Sequence, residues 1–76
     1  FIFTIIISDF YYLESANKLK EKLSKEGTIS GLAVKKIKDN KYRLAAGPFK
    51  NFNALKSTYI SLNKLGFENL NIYKNK

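Results

Sequence analysis

The sequence predicts an α+β fold of order β-α-β-β-α-β, with four antiparallel strands in one sheet and two helices on one of its faces. Three observations predict it. A step of 39 residues carries the first half onto the second, pairing Phe10 with Phe49, Ala16 with Leu55, Leu23 with Leu62 and Gly27 with Gly66, and Ile5 and Ile7 with Leu44 and Ala46. Within each half the apolar spacing changes from period two to helical spacing. Between the halves, Asp39-Asn40-Lys41 reads as a tight turn, because Asp and Asn tolerate the left-handed backbone region. Two copies are too few for a solenoid, so two β-α-β-like halves sharing one core are expected.

The elements follow in order. Phe1 to Ser8 alternates, with Phe1, Phe3, Ile5 and Ile7 on one face and Ile2, Thr4, Ile6 and Ser8 on the other. Both faces are partly apolar, which suits a central strand. From Tyr12 to Lys25, Leu13, Ala16, Leu19 and Leu23 recur at helical spacing, and Glu14/Lys18 and Glu21/Lys25 form i,i+4 pairs on the opposite side. Gly27 stands where a helix commonly ends in a left-handed residue. Residues 29–38 read as a second strand of uncertain phase, since Leu32 and Val34 argue for one face and Ala33 and Ile37 for the other, which admits a bulge. Tyr42 to Ala46 is a third strand, stopped by Gly47-Pro48 because Pro cannot donate to a ladder.

A second helix over Phe52 to Leu65 has Asn51 as N-cap, Phe52, Leu55, Tyr59 and Leu62 as its buried stripe, and Gly66 at its end. Leu70 and Ile72 then alternate with Asn69, Asn71 and Tyr73 in a short last strand. This is the ferredoxin-like, RNP-like split, in which the right-handed crossover rule makes strands one and three the centre of the sheet. One sheet face is left open.

Composition narrows the chemistry. The 76 residues hold no Cys and no His, so thiolate metal sites, disulfides and a histidine base are all missing from the chain. Neither a metal nor another cofactor is expected, and no paired carboxylates or glycine-rich anion loop point to catalysis. A chain of this length buries only about 60% of its unfolded surface, so stability rests on packed Phe, Tyr, Leu and Ile. No apolar run approaches the roughly 20 residues that span a bilayer. The chain starts at Phe1, inside an apolar element and without Met, and a single domain over 1–76 cut from a longer protein, with any membrane anchor upstream, is the expectation.

Charge is distributed unevenly. The first 26 residues balance four Lys against Asp9, Glu14, Glu21 and Glu26, so the net +8 lies in the remainder. A basic surface attracts anionic polymers without specifying which. Period-two phase nominates the open-face residues: Ile6 and Ser8, then Lys41, Arg43 and Ala45, then Asn69, Asn71 and Tyr73. The inward set is Ile5, Ile7, Tyr42, Leu44, Ala46, Leu70 and Ile72. Arg43, the lone arginine, offers a planar five-donor fork for a carboxylate or phosphate, the alternative being a structural salt bridge.

Tyr42-Arg43-Leu44-Ala45-Ala46-Gly47-Pro48-Phe49, followed by a helix ending Leu65-Gly66-Phe67, resembles the second half of a SPOR (sporulation-related repeat) domain. Ile5-Ile6-Ile7-Ser8-Asp9-Phe10, then Ala16, Leu19, Leu23 and Gly27, is similar to the first half. The resemblance covers nearly the whole chain and includes the duplication. It implies a non-catalytic, monomeric module of the bacterial envelope or periplasm that binds peptidoglycan glycan strands lacking stem peptides, in cell division or envelope maintenance. The glycan-binding residues it implies are Arg43, Lys41, Ile6, Ser8, Asp9, Asn71 and Tyr73.

The chain departs from the family's strand-one pattern: Ile6 replaces its Gln, Ser8 its Gly and Asp9 its Ser, and Lys41 stands where some members carry a large aromatic. Asp9 would repel a ligand carboxylate unless it caps the first helix. The rival class is an RNA-recognition-like module, which shares the strand order but stacks bases on aromatics of strands one and three. Outward positions there are Ile6, Ser8, Arg43 and Ala45, none aromatic, so no specific nucleic-acid partner is expected.

Overall fold

The computed structural model describes residues 2–75. The elements are β1 (Ile2–Phe10), α1 (Leu13–Lys25), β2 (Leu32–Lys38), β3 (Lys41–Phe49), α2 (Phe52–Lys64) and β4 (Asn71–Asn75). They form one antiparallel sheet of order β2-β3-β1-β4, the ferredoxin-like arrangement, with β1 and β3 central as expected. Phe1, the expected first strand residue, lies outside the described residues.

The core lies between the sheet and the helices. Ile5, Ile7, Leu44 and Ala46 pack from the central strands against Leu23 of α1 and Leu55 and Leu62 of α2, while Ala16 of α1 is fully buried. The 39-residue step is a pseudo-two-fold of the sheet. It turns the Phe10–Tyr42 cross-strand pair into Phe49–Phe3, and it turns Ile6–Ala45 into itself. The axis therefore passes between Ile6 and Ala45.

Two bulges correct the expected strand ends. Ser8 does not end β1: Ile6 is in register with Ala45 and Ser8 with Leu44, so Ile7 is the extra residue and the strand continues to Phe10. Gly47-Pro48 does not end β3 either, because both residues stand opposite Thr4 between the Phe3–Phe49 and Ile5–Ala46 pairs. Proline is tolerated there because a bulge releases it from the ladder, and β2 begins only at Leu32, opposite Ala46. The bulge admitted for β2 lies between Lys36 and Lys38. It settles the phase: Leu32 and Val34 pack on the core, and Ala33 and Lys35 take the open face opposite Ala45 and Arg43. Lys41, read as a turn residue, opens β3 opposite Lys38.

The helices also differ in detail. Leu13 and Phe52, expected on the buried stripes, are 46% and 65% exposed. Each is the first residue of its helix, and a helical side chain leans toward the N-terminus, so these two project past the first turn. Asn51 caps α2 as expected, its Oδ1 accepting from the Asn53 backbone N–H at 2.7 Å. Tyr12 precedes α1 without a side-chain cap.

Gly66 adopts φ +102 after α2, whereas the residue with positive φ after α1 is Thr28. Gly27 stands instead at a close approach: a Cβ there would lie 2.7 Å from Leu65 Cδ1 and 3.0 Å from the Leu23 carbonyl oxygen, so the half-exposed Leu65 side chain would have to move. Ile29, expected in β2, precedes the strand but is buried, its N–H donating to the Leu23 carbonyl at 3.1 Å. Leu70 packs on the core just before β4.

Candidate functional site

The open face of the sheet holds a shallow concavity of about 390 Å³, lined by Thr4, Ile6, Lys35, Arg43, Ala45 and Tyr73. All four strands contribute. The pseudo-two-fold pair Ile6–Ala45 makes an apolar floor, with Thr4 and Tyr73 in register on one side and Lys35 and Arg43 in register on the other. One end is aromatic and the other cationic.

The cationic end is built by the β1 bulge. By shifting the phase one residue, it brings Asp9 into register with Arg43 and places Ser8 opposite the core residue Leu44. Arg43 Nε donates to Asp9 Oδ1 at 2.8 Å and Nη2 donates to Oδ2 at 3.1 Å, a bidentate pair, while Lys41 Nζ lies 3.7 Å from Oδ2. Asp9 thus neither caps α1 nor stands alone. Of the two roles weighed for Arg43, the salt bridge is present, and the same residue also lines the concavity.

The Arg43 hydrogen bonds, with the charges of Arg43 and Lys41 behind them and burial opposing, hold the Asp9 carboxyl below its ordinary 3.8 and raise the Arg43 guanidinium. A carboxylate whose folded pKa lies below its unfolded one stabilises the fold above the unfolded value, and that contribution is lost as pH falls through the folded value. Wild type is therefore expected to melt higher than Asp9→Asn by a constant margin above about pH 5, a margin that closes below pH 4. Thermal melts of both proteins between pH 2 and about 7 check this; a margin independent of pH would show that the ion pair is not its source.

Of the residues expected on this face, Arg43, Ile6 and Tyr73 line the concavity, and Lys41 and Asp9 flank it through Arg43. Asn71 shares the face, in register with Ile6, but does not line the concavity. Ser8 is turned out of phase by the bulge, and Asn69 precedes β4. Sequence reasoning missed Lys35. The signal was the Leu32/Val34 alternation, which places Lys35 outward once Ile37 is excluded from the count. A smaller apolar depression of about 130 Å³, bounded by Leu19, Leu23, Leu65 and Phe67, marks the seam between the C-terminal ends of the helices. No polar groups converge in it beyond the exposed Lys22 and Glu26.

A four-stranded sheet with helices on one face and a shallow, partly cationic concavity on the other places the chain in the ferredoxin-like α+β class with an open sheet face. The SPOR domain family matches residues 2–70, and the chain belongs to it. The family is one of non-catalytic peptidoglycan-binding domains of the bacterial cell envelope, acting in cell division. No curated protein and no solved structure matches the chain. The family match stops before β4, so Asn71 and Tyr73 lie beyond it.

Proposed function

We propose that the open face binds peptidoglycan glycan strands from which the stem peptides have been removed, within the periplasm or envelope and as a monomer held to the membrane through sequence outside this chain. The observation that carries this reading is the Lys35–Arg43 cross-strand pair. Like charges directly opposite one another destabilise a sheet, and here they border the concavity with only Arg43 of the two answered by a carboxylate among the described residues. An anionic ligand would relieve that repulsion. Each N-acetylmuramic acid keeps a lactyl carboxylate once its peptide is gone, so a bare glycan strand offers such a charge in every disaccharide.

The remaining groups suit a sugar polymer. Ile6 and Ala45 form an apolar floor for pyranose faces and acetamido methyl groups, and Tyr73 offers a ring and a hydroxyl at the far end. The Asn71 amide supplies donors and an acceptor beside that floor. Arg43, fixed by Asp9, keeps guanidinium donors beyond those it gives the carboxylate, and Lys35 and Lys41 add mobile charge. Asp9 belongs to the site as the group that orients Arg43.

Purified sacculi before and after amidase treatment test the proposal, with RNA at matched salt as a comparison. Binding is expected to rise when stem peptides are removed. No rise, or tighter binding to RNA, would overturn it.

A further inference from the structure

The end of the sheet where β1 leaves and the β2–β3 hairpin turns carries a different surface. Phe10, Tyr42 and Lys36 form one cross-strand row. Tyr11 follows Phe10 and Ile37 follows Lys36, so they stand just past the same row, roughly 10 Å apart at two interstrand spacings. Tyr11 and Tyr12 are 54% and 67% exposed, Leu13 beside them in sequence is exposed, and so is Ile37 at the β2 bulge. The two tyrosine rings touch, with centroids 4.9 Å apart and planes tilted by 58°, which holds them as a unit while leaving both solvent-facing.

Lysines of the hairpin lie at the same end as these apolar groups, with the acidic Asp39 and Glu14 among them. Lys38 stands opposite Lys41 across the hairpin, a second like-charge pair in which Lys41 is answered by Asp9 at 3.7 Å, and Lys36 is paired with the exposed Asp39 at 3.3 Å. Lys38 has no ion pair among the described residues.

We propose that this end docks on a lipid bilayer containing anionic phospholipid. Tyrosine, with an apolar ring and a polar tip, favours the boundary between headgroups and acyl chains. Lysines extend their stems along apolar surface and keep their charge at headgroup level. A negatively charged leaflet would answer Lys38 and cover Tyr11, Tyr12, Leu13 and Ile37 in one contact. A soluble polyanion would relieve the charge but leave the apolar groups wet, which is why the bilayer is favoured. The surface adjoins the cationic end of the proposed glycan site, where Lys35 and Arg43 stand one row from Lys36 and Tyr42, but its apolar groups, Tyr11, Tyr12, Leu13 and Ile37, do not line the concavity.

Flotation with phosphatidylcholine vesicles, with and without about one-third phosphatidylglycerol, tests this at an ionic strength near 0.1 M, where the screening length is about 10 Å. Binding is expected only to the anionic vesicles. It should fall roughly fivefold for each lysine neutralised among Lys36 and Lys38, and at least as far in the Tyr11→Ser/Tyr12→Ser double variant, while Lys35→Ala leaves it unchanged. Because the chain has no tryptophan, Tyr12→Trp provides a clean reporter that should blue-shift on anionic vesicles and be quenched by brominated acyl chains. No vesicle binding, binding indifferent to the tyrosines, or a reporter that stays solvent-exposed would overturn the proposal. Sacculus binding by the Lys36, Lys38 and tyrosine variants is expected to remain intact, whereas Lys35→Ala is expected to weaken it, so failure here leaves the glycan reading standing.

Discussion

Leu44→Ala is expected to lower the melting temperature by roughly 10 °C or more, because truncating a fully buried leucine costs about 2–5 kcal/mol and each kcal/mol moves a domain of this size by about 4–8 °C. Leu44 sits on a central strand, fully buried and part of the cluster that joins the sheet to both helices. A 76-residue chain has about 4–11 kcal/mol of stability in all, so one such cavity removes a large fraction of it. Ile72→Ala provides the contrast. Ile72 is in register with the core residue Ile5, but on an edge strand and 49% exposed, so its loss should shift the melt by only a few degrees. Thermal melts of both variants by circular dichroism decide the matter, and equal shifts would show that the core does not centre on β3.

Lys35→Glu is expected to change binding and stability in opposite directions. It removes the cation at the rim of the concavity and substitutes a charge that repels a carboxylate, so affinity for amidase-treated sacculi should fall by at least roughly tenfold, the effect of about 1.4 kcal/mol. It also turns a repulsive cross-strand pair with Arg43 into an attractive one, worth about 0.2–1 kcal/mol, so the melting temperature should hold or rise by a few degrees. A variant that binds undiminished while melting higher would place the ligand elsewhere. Loss of both properties would make Lys35 a structural residue.

These two residues also show what the sequence made legible. Leu44 stands out without coordinates, because its place in the alternation and its 39-residue partner Ile5 both put it inside. The order of elements, the central strands, the Asn51 cap and most of the core are readable for the same reason: periodicity records which face is buried. Lys35 was hidden by one inserted residue. A bulge changes no composition, yet it reverses the face of everything beyond it. Period two therefore fails at Ile37, and it fails again at Ile7, where it hides the approach of Asp9 to Arg43 and misplaces Ser8. The reach of β3 through Pro48 depends on where β2 begins, a pairing fact that proline's local preference cannot supply. Likewise Leu13 and Phe52 fit their helical stripes by spacing and lie exposed because nothing packs beyond the first turn.

The axis between Ile6 and Ala45 has one more consequence. A glycan strand has a direction, with a reducing and a non-reducing end, whereas the backbone of this sheet nearly does not. Rotated by half a turn about the axis, a strand would cross the same ladders but meet Thr4 where Arg43 had been, and Ile2 in place of Lys41. Shape admits either heading. Arg43 and Lys41, which the first half answers with Thr4 and Ile2, would decide which end of the polymer points toward β2.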